Sequence, residues 1–165
     1  MEEWGRVEAV KLILLTVETK SPSWLKEAKE VYAKKLGAFC AFEEIEIRSP
    51  HLQREEKDLK IKKEAEKILQ KIQPSDFVVV FDEKGKAYRS QAFSKELQKN
   101  WERSPQRLVL VIGGAFGLED SVKARAQWKV SLSEMTMNHW VAQLMALEQL
   151  YRALTIQKNI PYHNE

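Results

Sequence analysis

Two uninterrupted runs of apolar residues constrain the fold of this 165-residue chain more than any other feature. They are Phe77–Phe81, "FVVVF", and Leu108–Ile112, "LVLVI". Five consecutive apolar residues predict a strand that is covered on both faces, and such strands are typical of parallel sheets. The two runs therefore predict buried strands of a sheet with helices on both sides.

Strands and helices are predicted to alternate along the rest of the chain. Further strands are predicted at Val10–Val17, Phe42–Ile47 and Trp128–Leu132, and the alternation of polar and apolar residues in the second of these is typical of an edge strand. Helices are predicted at 22–37, 55–72, 91–102, from about residue 119, and at 139–156. This order predicts one domain with an α/β fold and a mainly parallel sheet.

Composition narrows the class of protein. The chain is 44% apolar and 31% charged, which is typical of a soluble globular protein and not of a disordered one. Its longest apolar runs are too short to cross a membrane, and its start, "MEEWGRVEAVK", has no secretory signal pattern. The one cysteine, Cys40, cannot form an intramolecular disulfide, so a cytoplasmic location is expected. No residues have metal-site spacing, and the net charge of +3 leaves an RNA partner open.

Glycines follow the second apolar run, in "LVLVIGGAFGLED". Ligands of open parallel sheets bind beyond the carboxyl ends of the strands, and glycine exposes backbone N–H groups there. The spacing of Gly113, Gly114 and Gly117 matches neither a dinucleotide-binding motif nor a phosphate loop. Two interpretations stay open: the glycines make room for a ligand, or they only permit a tight turn.

Two other strand ends are expected at the same edge of the sheet. They are Phe81–Asp82, and Leu132–Ser133 in the segment "SLSEMTMNHW". Hydroxyl and apolar side chains alternate in that segment, so the loop could pack against a flat heterocycle while its backbone binds the heterocycle's edge. Loops of this composition are also common helix caps. Beside the glycines, the segment favours a nucleoside site.

The last predicted helix carries apolar residues on most of its sides: Trp140, Val141, Leu144, Met145, Leu147, Leu150, Tyr151 and Leu154. Such a helix is covered either by its own core or by a second subunit, and the second interpretation predicts a dimer.

The predicted helix over 55–72 is rich in lysine, and these lysines form either a solvated face or an RNA groove. His139 opens the last helix, where a structural role is expected, and His163 follows Tyr162 in the tail.

Several ordered motifs together resemble the ribosomal RNA large-subunit methyltransferase H family (RlmH), which is of the SPOUT type. They are "TKSPSW", "FDEKGK", "LVLVIGGAFGL", "KVSLSEMTMNHW", "EQLYRALTI" and the terminal "PYH". The likeness extends from about Val10 to His163, which leaves residues 1–9 as an N-terminal extension of a single domain over 1–165.

The resemblance implies an α/β fold with a C-terminal trefoil knot, a homodimer, and S-adenosylmethionine as the methyl donor. The implied acceptor is N3 of a pseudouridine in large-subunit (23S) rRNA or the assembled ribosome. The implied cofactor-binding residues are Phe81, Gly113, Leu132, Ser133, Glu134, Met135, Thr136 and Met137. The implied catalytic residues are Tyr162 and His163, in a tail expected to close over the site, with His163 the candidate for proton handling.

Four positions depart from the family pattern. Asn138 replaces a proline, Gln143 an arginine and Asn164 a basic residue, while Glu18 stands where glycine is usual. The missing positive charges leave two alternatives open, a SPOUT protein with a different RNA target and a non-catalytic dimer that binds RNA or the ribosome. A small-molecule nucleotide-binding protein is a further alternative. On the ligand interpretation, Gly113→Val is expected to block cofactor binding and to leave the fold largely intact.

Overall fold

The computed structural model describes residues 10–18, 20–103 and 106–164, and over these ranges strands and helices alternate as predicted. The strands are β1 (Lys11–Glu18), β2 (Phe42–Arg48), β3 (Phe77–Ala87), β4 (Arg107–Ile112) and β5 (Trp128–Ser131). The helices are α1 (Ser23–Gly37), α2 (Lys57–Lys71), α3 (Ser90–Arg103), α4 (Asp120–Arg125) and α5 (His139–Gln157). A short 3-10 turn, Arg54–Glu56, precedes α2.

The strands form one sheet in the order β2-β1-β4-β3-β5, and every neighbouring pair is parallel. The predicted parallel sheet is therefore confirmed, and β2 lies at an edge as its alternating pattern predicted. Because all strands run in one direction, their carboxyl ends meet at a single edge of the sheet.

Helices cover both faces of the sheet, as the uninterrupted apolar runs require. Along β1, Leu12 and Leu14 belong to one buried cluster, whereas Ile13 and Leu15 belong to the other. The first cluster includes residues of α1, α3 and α5, and the second includes residues of α2 and α4. Burial of each such side chain contributes about 1.5–3 kcal/mol, so β1 is stabilised from both sides.

Strand β3 is longer than its apolar run, because pairing with β5 resumes beyond a bulge. Both Phe81 and Lys86 lie opposite Val130, so the residues between them are extra on the β3 side. A Cβ atom on Gly85 would lie 2.7 Å from the Val130 backbone, so only glycine permits this approach of the two strands. The predicted end of this strand at Phe81–Asp82 was wrong for this reason, since β3 continues to Ala87.

A cluster of charged residues connects the segments that precede β3 and β4. It lies at the edge of the sheet opposite the carboxyl ends of the strands. Asp76 is 2% exposed, and the backbone N–H of Gln73 donates to its Oδ2 at 2.7 Å. Arg107 Nε lies 3.1 Å from Asp76 Oδ1, an ion-pair contact without hydrogen-bond alignment. Arg125 donates to the carbonyl oxygens of Gln73 and Asp76 at 2.9 and 3.1 Å.

None of the helices in the described ranges is both long and apolar enough to cross a membrane.

Candidate functional site

A cleft of about 470 Å³ opens at the carboxyl edge of the sheet. Its floor includes Phe81 at the bulge of β3, Ile112 at the end of β4, and Leu132 just after β5. The starts of α2 and α5 contribute Lys57 and His139 to its walls. The cleft thus lies where ligands of open parallel sheets bind.

The structure brings most of the residues implied for cofactor binding together at this cleft. Seven of the eight line it: Phe81, Gly113, Leu132, Ser133, Met135, Thr136 and Met137. Glu134 belongs to the same loop but is exposed and is not part of the cleft wall. Three segments that are distant in sequence therefore converge on one cavity.

The glycine turn is folded tightly on itself. Gly117 has a φ of +80°, and its N–H donates to the Gly114 carbonyl oxygen at 3.1 Å. A Cβ atom on Gly113 would lie 2.7 Å from the carbonyl carbon and oxygen of Gly117. A side chain at 113 would therefore meet this backbone first, so we now expect Gly113→Val to disturb the turn itself as well as cofactor binding. The turn nevertheless lines the cleft, so the two interpretations of the glycines are compatible.

Hydroxyl groups shape the loop between β5 and α5. Ser131 Oγ donates to the Ser133 carbonyl oxygen, and the Met135 N–H donates to Ser133 Oγ, both at 3.0 Å. Asn138 caps α5 by accepting the Trp140 N–H at 2.8 Å, so an asparagine performs at this position a task that a proline side chain cannot. The loop is thus both a cap and a wall of the cleft.

Of the charged residues of the cleft, only Asp82 was named from the sequence, as part of a strand end. Lys123 Nζ lies 3.3 Å from Asp82 Oδ2, and Glu83 lines the cleft beside this pair. Asp82 directly follows an apolar run, so its place at a strand end was a usable signal. Lys57 belongs to α2 and Lys123 to α4, which pack on the face of the sheet opposite α5. No local sequence pattern indicates that these two lysines approach the cleft.

His139 lines the cleft at the first turn of α5, where a structural role was predicted. Its ring lies 5.3 Å from that of Trp140, centroid to centroid. Burial, with the positive charge of Lys60 as the second cause, lowers the pKa of His139 below its ordinary value of 6.5. The imidazole is therefore neutral at pH 7.

The pKa of His139, measured by NMR titration, is expected to lie below 6.5 and to rise towards that value in Lys60→Gln, which removes the neighbouring charge. The folded protein binds this proton less readily than the unfolded chain. Stability is therefore expected to fall as the pH drops from about 6.5 to the folded pKa, and to level off below it. A His139 pKa that does not move in Lys60→Gln would show that Lys60 does not act on this ring. Lys95→Gln, which changes an exposed lysine of α3, serves as the control.

The two residues implied as catalytic lie together, but not at the cleft. The Tyr162 hydroxyl donates to Glu148 Oε1 at 3.1 Å, and Arg152 Nη1 lies 3.2 Å from His163 Nδ1. Burial, followed by the hydrogen bond to Glu148, raises the pKa of Tyr162 to about 12. Glu148 and Arg152 lie about 13 and 20 Å along α5 from His139, at 1.5 Å per residue. Neither Tyr162 nor His163 is part of the cleft wall of their own chain.

The other departures from the family pattern fall in different environments. Gln143 is 2% exposed inside the fold, whereas Asn164 is exposed at the tail. Residues 1–9 and the side chain of Glu18 lie outside what the structure describes. Within the described ranges no group of three or more His, Cys, Asp or Glu side chains could hold a metal ion.

Comparisons with known proteins agree with the architecture. A family model described as "Predicted SPOUT methyltransferase" matches residues 10–163. A protein of Bdellovibrio bacteriovorus named "Ribosomal RNA large subunit methyltransferase H" is 44% identical over 155 residues, which cover 94% of this chain and 99% of that protein. A Cytophaga hutchinsonii protein of the same name is 38% identical, with coverage of 94% and 100%.

Solved structures add a similarity of fold. A probable methylase family protein of Haemophilus influenzae matches with a TM-score of 0.51 at 12% identity, and the match covers 96% of this chain and 71% of that one. A probable methyltransferase of Bordetella pertussis matches with a TM-score of 0.50 at 13% identity, covering 89% and 95%.

Proposed function

Because this chain belongs to the SPOUT methyltransferase family, we propose that it transfers a methyl group from S-adenosylmethionine to N3 of a pseudouridine in large-subunit ribosomal RNA. The observation that carries the proposal is the convergence of the segments around Phe81, Gly113 and Leu132 on one cleft. Its volume of about 470 Å³ falls in the range of small-molecule sites. Relatives that match nearly end to end bear the name of an rRNA methyltransferase.

The residues of the cleft fit this methyl donor. Ile112, Leu132 and Met137 offer apolar contact to adenine, and the carboxylates of Asp82 and Glu83 offer acceptors for hydroxyl or ammonium groups. The donor supplies a methyl group that is already activated on a sulfonium. The protein's task is then to hold the two reactants in line and to exclude water, and orientation alone can contribute about 7–11 kcal/mol.

We include a homodimer built on α5 in the proposal. Trp140, Leu144 and Met145 are only partly buried, and Val141 is 47% exposed, so the outer side of this helix offers apolar surface to a second copy. In a two-fold dimer the same surface is used twice. If two α5 helices cross antiparallel near Met145, the cleft end of one lies opposite the tail end of the other.

This arrangement supplies the tail residues that the cleft lacks. Tyr162 and His163 are held near Glu148 and Arg152, too far along α5 to act at the cleft of their own chain. The tail of the partner subunit would complete the site. Tyr162 stays protonated at pH 7, since its pKa is raised to about 12, and is suited to donate a hydrogen bond. His163 is then the group that accepts the proton leaving N3.

A C-terminal trefoil knot is also part of the proposal. Its support is the chain path: β3 lies between β4 and β5 in the sheet, so the chain passes β3 on its way from the glycine turn after β4 to β5. The glycine turn and the loop 132–138 then form adjacent walls of the cleft.

Mixing two inactive variants tests whether the tail acts in trans. Gly113→Ala is chosen to disable the cleft, and His163→Ala removes the proton-handling group. Each homodimer is expected to be inactive, whereas random mixing after subunit exchange should restore about one quarter of the wild-type activity, because half of the dimers then hold one intact composite site. If activity is not restored although mass spectrometry shows mixed dimers, the tail does not act at the cleft of the partner subunit.

Calorimetric titration with S-adenosylmethionine, alone and with ribosomes lacking the modification, tests the function itself. Saturable binding, followed by transfer of radiolabelled methyl to large-subunit rRNA, is the expected result. Binding without transfer would indicate a different RNA target. If no binding occurs under either condition, the catalytic proposal fails and a non-catalytic RNA-binding dimer takes its place.

A further inference from the structure

Two lysines of α2 are held against the tip of the glycine turn. Lys57 Nζ lies 5.4 Å and Lys60 Nζ 5.7 Å from the centroid of the Phe116 ring. Ammonium groups within about 6 Å of an aromatic centroid are attracted by the negative face of the ring. Phe116 therefore gathers two positive charges at one place.

That place is the rim of the cleft. Phe116 and Lys57 both line it, and Lys60 is close enough to His139 to disfavour its protonation. Lys60 itself is not part of the wall, so the pair extends from the mouth of the cleft outwards over the protein surface. An anion bound by both lysines would lie beside the cleft and not inside it.

The two charges are not neutralised by carboxylates. Within the described part of the chain, the ion pairs include neither Lys57 nor Lys60. Asp82, an acid that lines the cleft, pairs with Lys123 at 3.3 Å and not with Lys57 or Lys60. Glu56, which precedes Lys57, accepts the Gln53 N–H at 3.0 Å and so caps the turn before α2.

We propose that Lys57 and Lys60, gathered on Phe116, form a phosphate-binding subsite for the RNA substrate at the rim of the cleft. The inference rests on the proposed function, because a base that enters the cleft brings the phosphates of its own strand to the rim. Lysine is suited to this task as a mobile point charge that does not depend on base identity. The subsite positions RNA and contributes no sequence discrimination.

Salt dependence of rRNA binding is the readout, because phosphate contacts release counterions. Filter binding of large-subunit rRNA is measured between 50 and 200 mM salt for the wild type, Lys60→Gln and the double variant Lys57→Gln/Lys60→Gln. Each lost phosphate contact is expected to reduce the slope of log affinity against log salt by about 0.7 for single-stranded RNA or about 0.9 for a duplex. Lys60→Gln should bind rRNA several-fold more weakly and S-adenosylmethionine with unchanged affinity.

Lys95→Gln is the matched control, since it removes one exposed lysine from α3 on the opposite face of the sheet. Phe116→Leu tests the role of the ring, because it keeps an apolar side chain but removes the aromatic face. This variant is expected to weaken rRNA binding, with a smaller change in slope than the double lysine variant.

The outcomes separate the two proposals. If the wild type binds S-adenosylmethionine and methylates rRNA, while Lys60→Gln and the double variant keep the wild-type slope, the subsite is refuted and the function stands. A loss in Lys95→Gln equal to that in Lys60→Gln would show non-specific attraction and would also refute the subsite. If the wild type binds neither free large-subunit rRNA nor ribosomes, the subsite and the proposed function fall together.

Discussion

Replacing Gly113 by alanine is expected to abolish measurable binding of S-adenosylmethionine and to lower the free energy of unfolding by about 1–3 kcal/mol. The new Cβ atom would lie 2.7 Å from the carbonyl carbon and oxygen of Gly117, and 3.0 Å from Leu118 Cγ. Two of these three neighbours are backbone atoms of a turn with a positive φ, so they cannot move aside by a change of rotamer. The turn has to open, and with it the wall of the cleft.

Gly37→Ala provides the control, because a Cβ atom there would meet nothing within 4 Å. Denaturant unfolding and calorimetry should show near wild-type stability and cofactor affinity for this variant. If Gly113→Ala kept its affinity for the methyl donor, the glycine turn would not be part of the cofactor site. If it kept full stability as well, the close packing between Gly113 and Gly117 would be refuted.

Asp76→Ala is expected to produce the largest loss of stability, about 3–5 kcal/mol, as is usual when one partner of a buried ion pair is removed. Asp76 is 2% exposed, accepts the Gln73 N–H, and lies 3.1 Å from Arg107 Nε. Its removal leaves a partly buried guanidinium without its counter-charge and a backbone N–H without its acceptor. A loss of this size is a large share of the 5–15 kcal/mol that typically stabilises a domain.

The cluster around Asp76 precedes β3 and β4, whereas the cleft follows their carboxyl ends. The folded fraction of Asp76→Ala should therefore bind S-adenosylmethionine with wild-type affinity. Adding Arg107→Met is expected to recover part of the stability, because no unpaired charge is then left. Glu102→Ala, which removes an exposed acid from α3, is the control and should change stability by less than about 0.5 kcal/mol. A loss below 1 kcal/mol in Asp76→Ala would show that the ion pair is not structural.

The elements of the fold could be predicted because they rest on local patterns. Runs such as Phe77–Phe81 can be buried on both faces only inside a sheet. The helices are predicted by their apolar faces and by the residues typical of helix starts and ends. The bulge after Phe81 could not be predicted in this way. Pairing resumes at Lys86 because Gly85 fits against Val130, and that contact depends on the register of a strand more than forty residues away.

The candidate site could be predicted in part, and what could not be predicted has a physical cause. Residues that follow strands, such as Gly113 and Leu132, were predictable because parallel strands deliver their ends to one edge. Lys57 and Lys60 were assigned to a face that is either solvated or RNA-binding, and no periodicity indicates that α2 leans on Phe116. The tail of Tyr162 and His163 resembled a catalytic segment, yet it docks on the middle of α5, away from the cleft.

Hydrophobic periodicity and backbone chemistry within a few residues were enough to predict the alternation of strands and helices, the parallel sheet with β2 at its edge, and the strand ends that carry the cleft. Three features are visible only in the folded chain: which helix ends meet the glycine turn, why Gly113 tolerates no side chain, and that the tail lies apart from the cleft of its own chain. Those features depend on distances between segments far apart in sequence, and such distances are set by how the helices pack on the sheet.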